Sequence, residues 1–174
     1  MNQIVTRQAI LDDLEAVVPL FDAYRQFYNQ PSDSQAARVF LRDKFNHGES
    51  IIFLAWDGPS PVGFTQLFPS FSSVSMARVF LLNDLFVAPG HRRQGVGSLL
   101  LDAAVQYGRS LGAVRLSLTT NIANVTAQAT YEAQGWKRDE AFYAYHFMPA
   151  PNPVACSSAA GSFEKDRDAH QNSA

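Results

Sequence analysis

Residues 85–101 read LFVAPGHRRQGVGSLLL and join a strand-like segment to a helix-like segment through a short polar turn. The turn holds the paired arginines Arg92 and Arg93 and the glycines Gly95 and Gly97. Glycines after a strand allow unusual backbone dihedral angles that point several N–H groups at one place, and the following helix adds the positive end of its dipole. Such a turn is typical of pyrophosphate binding. An ordinary solvated loop before a helix is the alternative interpretation.

The two arginines favour the phosphate interpretation, because guanidinium groups make charge-assisted hydrogen bonds to phosphate oxygens. Two familiar nucleotide motifs do not fit. The dinucleotide fingerprint requires a third glycine where this chain has Leu100, and the next strand-like segment, AVRLSLTT, does not end in an acidic residue. A P-loop requires Lys followed by Ser or Thr after its last glycine, whereas Ser98 and Leu99 follow here.

Outward from this stretch, hydrophobic periodicity and turn residues predict a mixed α/β chain in the order β-α-α-β-β-β-α-β-α-β-β. The predicted strands cover residues 4–9, 51–56, 62–68, 79–88, 114–119, 136–138 and 142–147. The first predicted helix starts from a cap at Asp12 and ends before Pro31, and the others cover residues 32–45, 94–111 and 123–134.

Three details of these elements are expected from residue chemistry. Pro19 lies inside the first helical pattern and should kink or break it. Strand 79–88 is apolar at alternating positions on both faces, which predicts a central strand covered on both sides. The second helix should direct four apolar side chains inward, namely Ala36, Val39, Phe40 and Phe45.

Length and composition limit the class of protein. A chain of 174 residues, 47% of them hydrophobic, is long enough for one domain with a sizeable core, which we place at residues 1–148. Residues 149–174 are rich in Pro, Ser and Ala, and we expect them to be disordered. The single cysteine, Cys156, excludes an internal disulfide and a cysteine zinc cage. A net charge of −2 favours neither nucleic acid nor membrane as a partner.

The location of the protein is also suggested by the sequence. The N-terminal residues lack a basic segment followed by an apolar run, and no later segment approaches the ~20 apolar residues of a membrane span. We therefore expect a cytoplasmic protein. The four histidines show no metal-ligand spacing, and no metal is expected.

Two motifs together resemble those of the GCN5-related N-acetyltransferases. Residues 92–97, RRQGVG, are similar to the family loop R/Q-x-x-G-x-G/A, and residues 124–136, NVTAQATYEAQGW, are similar to N-x-x-A-x-x-x-Y-x-x-x-G-F/W. The resemblance covers about residues 79–147. It implies an α/β fold with a central mixed, mostly antiparallel twisted sheet of about six to seven strands flanked by four helices, and acetyl-CoA as co-substrate. The cofactor-binding residues it implies are Leu85, Phe86, Val87, Arg92, Arg93, Gln94, Gly95, Val96, Gly97, Ser98, Asn124 and Ala127.

The second motif also has a physical interpretation. Asn124 and Tyr131 are seven residues apart, and Ala127 lies between them, so the three share one stripe of a helix that could border an extended ligand. Tyr131 at the edge of an ordinary amphipathic core is the alternative. The family resemblance implies that Tyr131 donates a proton to the departing thiolate, and that Asn124 binds the pantetheine arm.

A polar pair interrupts the central strand and is the candidate for proton removal. Asp84 is costly in a buried strand unless it is paired or faces a cleft. Some family members, the diamine acetyltransferases, carry Glu-Asp here, with the Glu as base or amine contact; Asn83 replaces that Glu. Either Asp84 or a water path could therefore deprotonate the amine, and bonding of Asp84 to loop amides is an equal alternative. Asn83, Tyr24 and Tyr28 are candidate substrate contacts.

The function expected is acetyl-CoA-dependent transfer of an acetyl group directly to a primary amine of a small molecule. A protein or peptide amine is the second acceptor class. A non-catalytic acyl-CoA-binding module is the alternative outside enzymes. A homodimer is possible for this family, and the sequence does not identify the amine.

Overall fold

The structure, a computed structural model, describes residues 3–149. These residues divide into two compact units, one ending at Thr120 and one beginning at Asn121. Apart from Pro149, the expected disordered tail lies outside the described residues. No helix in the described range is long and apolar enough to cross a membrane.

The first unit contains a five-stranded mixed sheet with strand order β1-β2-β3-β4-β5. Neighbouring strands are antiparallel except β4 and β5, which are parallel. The strands are β1 (Ile4–Gln8), β2 (Ile51–Asp57), β3 (Ser60–Ser72), β4 (Ala77–Val87) and β5 (Arg115–Ser117). The predicted hairpin is confirmed, with a turn at Gly58, which adopts a φ of 56°. The fold class is that expected from the sequence.

The helices α1 (Leu14–Phe27) and α3 (Val96–Ser110) pack against this sheet, and α2 (Ser34–His47) packs against α1. The α2 helix is capped by Asp33, whose carboxylate accepts from the Ala36 N–H at 2.8 Å, and it ends at left-handed Gly48. Burying one side chain such as Leu41, which is fully inaccessible, contributes about 1.5–3 kcal/mol.

The expected inward face of α2 is partly wrong. Ala37 and Leu41 are buried and Phe45 packs against the core, whereas Ala36 and Val39 are exposed and Phe40 is 41% exposed. A stripe with a period of four residues meets the core, so only Phe45 of the predicted set lies on it. Phe40 instead lies at the edge of the core, where its ring stacks on Phe21 with centroids 5.5 Å apart.

Two expectations for α1 are also wrong. The break expected at Pro19 does not occur, since α1 continues through it; Pro19 lies on the exposed side of the helix, where water can satisfy the carbonyl four residues earlier. The kink expected there stays a prediction. Asp12 does not cap the helix. Residues Leu11–Asp13 form a short 3-10 turn first, and the neighbouring Asp13 carboxylate accepts from the Ile10 N–H at 3.0 Å.

The second unit contains the helix α4 (Val125–Ala133). The predicted strands at 136–138 and 142–147 are wrong, since neither segment is a strand. The aromatic-rich segment 142–147, FYAYHF, suits a strand, but a strand needs a neighbouring ladder, and none is formed within the described part. Its aromatic side chains are more than 80% exposed: Phe142, Tyr143, Tyr145 and Phe147.

Candidate active site

A bulge in β4 marks the beginning of the candidate site. Gln66 of β3 pairs with Asp84 and Leu67 pairs with Leu82, so Asn83 is an extra residue without a partner in the β3 register. Bulges bend a strand and re-aim the side chains beside them. Along β4, Asp84 is buried whereas Asn83 is exposed. The expectation of cover on both faces of this strand is therefore wrong, because Leu81 and Asn83 are exposed while their neighbours Leu82 and Asp84 are buried.

Beyond the bulge, one edge of β4 lacks a neighbouring strand in the described range. β5 pairs with β4 only at Val79–Leu81, although β4 continues along β3 as far as Val87. The Ala88 N–H bonds Val62 of β3, so strand alternation directs the main-chain groups of Leu85 and Val87 to the opposite side. Leu85 and Val87 are among the cofactor-binding residues that the family resemblance implies.

The loop after β4 forms a turn with two left-handed residues. Residues Pro89–His91 make a short 3-10 turn, and the His91 ring nitrogen Nε2 lies 3.5 Å from the Asp57 carboxylate in the β2–β3 hairpin. Arg93 and Gly95 then adopt φ angles of 60° and 81°. No side chain caps the first turn of α3, which begins at Val96. A helix N-terminus without a side-chain cap, reached through such a turn, is suited to a phosphate group.

The Arg92 side chain points back toward the protein. Its Nε donates to the Val87 carbonyl at 3.0 Å, and its guanidinium carbon lies 5.6 Å from the ring centroids of both Phe27 and Phe86. Gln94 turns to the loop itself and donates to the Gly90 carbonyl at 3.0 Å. Of the three polar side chains expected at the phosphate, Arg93 is therefore the one without a side-chain contact in the described part of the chain.

Asp84 and Tyr24 form the chemical centre of the first unit. The Asp84 side chain is only 6% exposed, and its Oδ1 accepts from the Asn83 amide at 3.3 Å. Burial raises the pKa of Asp84, although interaction with the Tyr24 hydroxyl and with Asn83 opposes that rise. The pKa of Tyr24 is raised first by burial and then by the negative charge of Asp84. The structure thus brings together Asp84, Asn83 and Tyr24; no main-chain N–H bonds the Asp84 carboxylate within residues 3–149.

Aromatic rings surround this centre. The Tyr24 ring makes edge contacts with Phe64 and Phe86 at centroid distances of 5.9 and 6.3 Å, and with Tyr28 at 5.1 Å. Tyr28 in turn contacts Phe27 at 5.3 Å, and both of these outer rings are about half exposed. The rings of Phe27, Tyr28, Tyr24, Phe64 and Phe86 together form an aromatic wall that leads from solvent toward the buried Asp84 carboxylate. Such a wall suits an amine with an apolar stem.

Asp22, which the sequence analysis missed, fixes the segment beside this wall. Its carboxylate is 5% exposed and accepts from the Ser32 hydroxyl at 2.7 Å, the Asp33 N–H at 2.8 Å and the Gln26 amide at 3.0 Å. Burial raises its pKa, but these hydrogen bonds and nearby Arg25 outweigh burial, so the pKa of Asp22 is lowered. The sequence does contain a signal for Asp22, because an acidic residue on the apolar face of a predicted helix is rarely buried without partners.

The second unit supplies the other predicted residues on one helix. Asn124 is the N-cap of α4, and its side-chain oxygen accepts from the Ala127 N–H at 3.2 Å. The Tyr131 ring packs 6.3 Å from Trp136, and the Tyr131 carbonyl accepts from the Trp136 N–H at 3.0 Å. Ala127 and Tyr131 therefore both lie on α4, as their predicted spacing requires, and Asn124 lies at its start.

No metal centre is formed by the side chains that the structure describes. Groups of three or more His, Cys, Asp or Glu residues in a metal-binding arrangement are absent from this range. His47 instead lies 3.1 Å from Asp43 on α2.

An open strand edge and a phosphate-type turn before a helix agree with the acyl-CoA-dependent transferase that the two sequence motifs resemble. The model of the Acetyltransferase (GNAT) family matches residues 17–136, which is more than half of the chain. The chain belongs to this family and is an acetyl-CoA-dependent acyltransferase. The family expected from the two sequence motifs is confirmed.

Two similar proteins support this assignment, and a third solved structure shares the fold. An uncharacterized N-acetyltransferase, YhfO, from Bacillus subtilis (strain 168) is 46% identical over 139 residues, covering 80% of this chain and 93% of the relative. The crystal structure of a probable acetyltransferase matches with a TM-score of 0.79 and 40% identity, covering 86% of this chain and 99% of that one. The aminoglycoside N-acetyltransferase AAC(6')-Iy in complex with CoA shares the fold, with a TM-score of 0.70 and 20% identity, covering 84% and 96%.

Proposed function

We propose that the protein transfers the acetyl group of acetyl-CoA directly to a primary amine of a small molecule. The observation that carries this proposal is the buried Asp84 carboxylate beside Tyr24, at the inner end of an aromatic wall. A carboxylate attracts an ammonium group, and the surrounding rings accommodate its alkyl or aromatic stem. Residues 1–148 act as one catalytic domain in this proposal.

The cofactor contacts follow from the open edge of β4 and the turn before α3. Main-chain N–H groups of Arg93, Gln94, Gly95, Val96, Gly97 and Ser98 receive the pyrophosphate, and the Arg93 side chain adds a charge-assisted contact. The turn has room for this close approach: a Cβ at Gly95 would meet nothing within 4 Å, and one at Gly97 would only touch Val87 at 4.0 Å. Asn124 and Ala127 border the pantetheine arm, as the family motif implies.

The acid–base steps are assigned to three groups. An alkylammonium has a pKa of about 10 and must lose a proton before it can attack. Asp84, whose pKa burial raises, accepts that proton more readily than an ordinary carboxylate would. The amine nitrogen then bonds the acetyl carbon, the carbon–sulfur bond breaks, and Tyr131 donates a proton to the thiolate. The acylated nitrogen loses its second proton through solvent, and this proton restores the Tyr131 phenol. The main-chain N–H of Leu85 or Val87 stabilises the negative charge on the thioester oxygen.

A small acceptor is supported by the burial of Asp84, which is 6% exposed, because a small amine reaches a buried carboxylate more easily than a bulky one does. A flexible side chain on a protein is the competing acceptor, since a lysine amine also has a slim stem. Lysine peptides are therefore included among the acceptors in the test.

The test is thiol release from acetyl-CoA by the purified protein with polyamines, amino acids, aminoglycosides, arylamines and lysine peptides. We expect release with one class of small amine and a much lower rate without acceptor. The acetylated product is identified by mass spectrometry. Release only with lysine peptides would replace the small-molecule assignment, and no release with any amine despite saturable acetyl-CoA binding would contradict the proposed reaction.

A further inference from the structure

The guanidinium of Arg92 has hydrogen-bonding capacity that the fold does not use. Its Nε is bound to the Val87 carbonyl, but its two terminal nitrogens make no hydrogen bond or ion pair with the residues described. The side chain is nevertheless fixed, because the group lies between the rings of Phe27 and Phe86. A fixed, exposed guanidinium with two free donors is a preformed partner for a planar anion such as a carboxylate.

Arg92 lies at one end of the aromatic wall that reaches Asp84 at the other end. Asp84 and Phe86 are two residues apart on the same buried face of β4, which corresponds to about 7 Å along the strand. Arg92 is 5.6 Å from the Phe86 ring, and the Tyr24 ring spans the interval, since it contacts Phe86 and interacts with Asp84. The Asp84 carboxylate and the Arg92 guanidinium are therefore connected through two aromatic rings, of which Phe86 is buried and Tyr24 is partly buried.

We propose that the acceptor is an amino acid whose reacting amine and carboxylate are separated by a short methylene chain. This inference rests on the proposed function and names the substrate class of that same site. The carboxylate binds the two terminal nitrogens of Arg92, the methylenes lie along the partly buried ring of Tyr24, and the amine is presented at Asp84. The acetyl group forms an amide with that amine, and the amine proton passes to Asp84.

The phosphate role expected for Arg92 from the sequence competes with this assignment. In the structure, Nε is held by β4 and the guanidinium lies on the side of α1, where Phe27 is located. Its neighbour Arg93 is exposed and has no such side-chain contact in the described range, so the phosphate contact is assigned to Arg93.

The test uses acceptor pairs that differ only by a carboxylate: ornithine with putrescine, and lysine with cadaverine. We expect kcat/KM for the amino acid to exceed that for the diamine by about tenfold or more, because a hydrogen-bonded charge pair contributes roughly 1.5–3 kcal/mol. The Arg92→Gln variant should reduce this ratio to near one. The control variant Arg93→Gln should weaken acetyl-CoA binding and leave the ratio unchanged.

Binding of the same pairs to the CoA-bound protein, measured by calorimetry, gives a readout that does not depend on turnover. Equal affinity and equal kcat/KM for amino acid and diamine would overturn the inference while leaving the proposed reaction intact. The inference would also be overturned if Arg92→Gln bound acetyl-CoA more weakly and left the ratio of kcat/KM for amino acid and diamine unchanged. Arg92 would then bind the phosphate of the cofactor. If Arg92→Gln does not fold, Arg92→Lys keeps the charge and removes the paired donors, and it should lower the same ratio.

Discussion

Gly63 of β3 lies directly against the main-chain carbonyl of Phe86 in β4. A Cβ at position 63 would lie 2.8 Å from that carbonyl oxygen and 3.2 Å from the Cδ1 atom of Leu100 in α3. The first distance involves backbone and cannot be relieved by rotating a side chain. The glycine therefore allows β3, β4 and α3 to pack closely beside Leu85 and Val87, where the thioester is proposed to bind.

Replacement of Gly63 by alanine should lower the free energy of unfolding by about 1–3 kcal/mol, the usual cost of overpacking. Urea denaturation monitored by circular dichroism measures this change. Gly90→Ala is the matched control, because a Cβ there would meet nothing within 4 Å, and we expect a change within about 0.5 kcal/mol. Equal stability of the two variants would show that β4 moves easily at Phe86.

The carboxylate of Asp22 should hold the chain after α1 in place. Three groups donate hydrogen bonds to the Asp22 carboxylate, and Asp22→Asn removes its charge and one of its acceptor oxygens. The free energy of unfolding should fall by about 1–3 kcal/mol. Hydrogen exchange of the Asp33 N–H, which donates to Asp22, should become faster. Asp12→Asn, on the exposed turn before α1, is the control. Unchanged exchange at Asp33 would contradict the proposed restraint.

The sequence was most informative where the chemistry is local. The turn through Gly95 was predicted because a glycine acts within a few positions of itself, whereas the cap at Asn124 was not predicted. The contact of Arg92 with Phe27 was not predicted, since it joins residues far apart in the chain. The strand predicted at 142–147 failed for a related reason: a local pattern states a preference for extended backbone but does not provide the neighbouring strand.

The buried Asp84 carboxylate should lower the free energy of unfolding at pH values at which it is ionised. Its pKa is raised in the folded protein, so the native state retains a proton that the unfolded state has already lost. Stability contributed by Asp84 is therefore present below the unfolded pKa near 3.8 and is lost as the pH rises through the folded value. The Asp84→Asn variant has no carboxylate to ionise at this position and should not lose stability in this way. We therefore expect it to be more stable than the parent protein at pH 8 and to differ little from it at pH 3.5.

Chemical denaturation at the two pH values measures the difference. Asp13→Asn provides a control of opposite sign, because the hydrogen bonds from Arg7 hold the pKa of Asp13 below its ordinary value. That variant should be less stable than the parent at pH 8. In turnover assays, Asp84→Asn should lose most of its activity, and the parent should lose activity as the pH falls through the raised pKa. A stable and fully active Asp84→Asn would assign proton removal to a water path.

Tyr131 is the residue whose role can be isolated with the smallest chemical change. Tyr131→Phe removes only the phenolic oxygen, and if that group protonates the thiolate, kcat should fall about 10²- to 10⁴-fold. Affinity for acetyl-CoA, measured by titration, should be retained because the ring that packs near Trp136 is kept. Tyr145→Phe, at an 89% exposed position in the same unit, loses the same oxygen and should keep full turnover. Equal turnover of the two variants would remove Tyr131 from the mechanism and leave solvent as the proton donor.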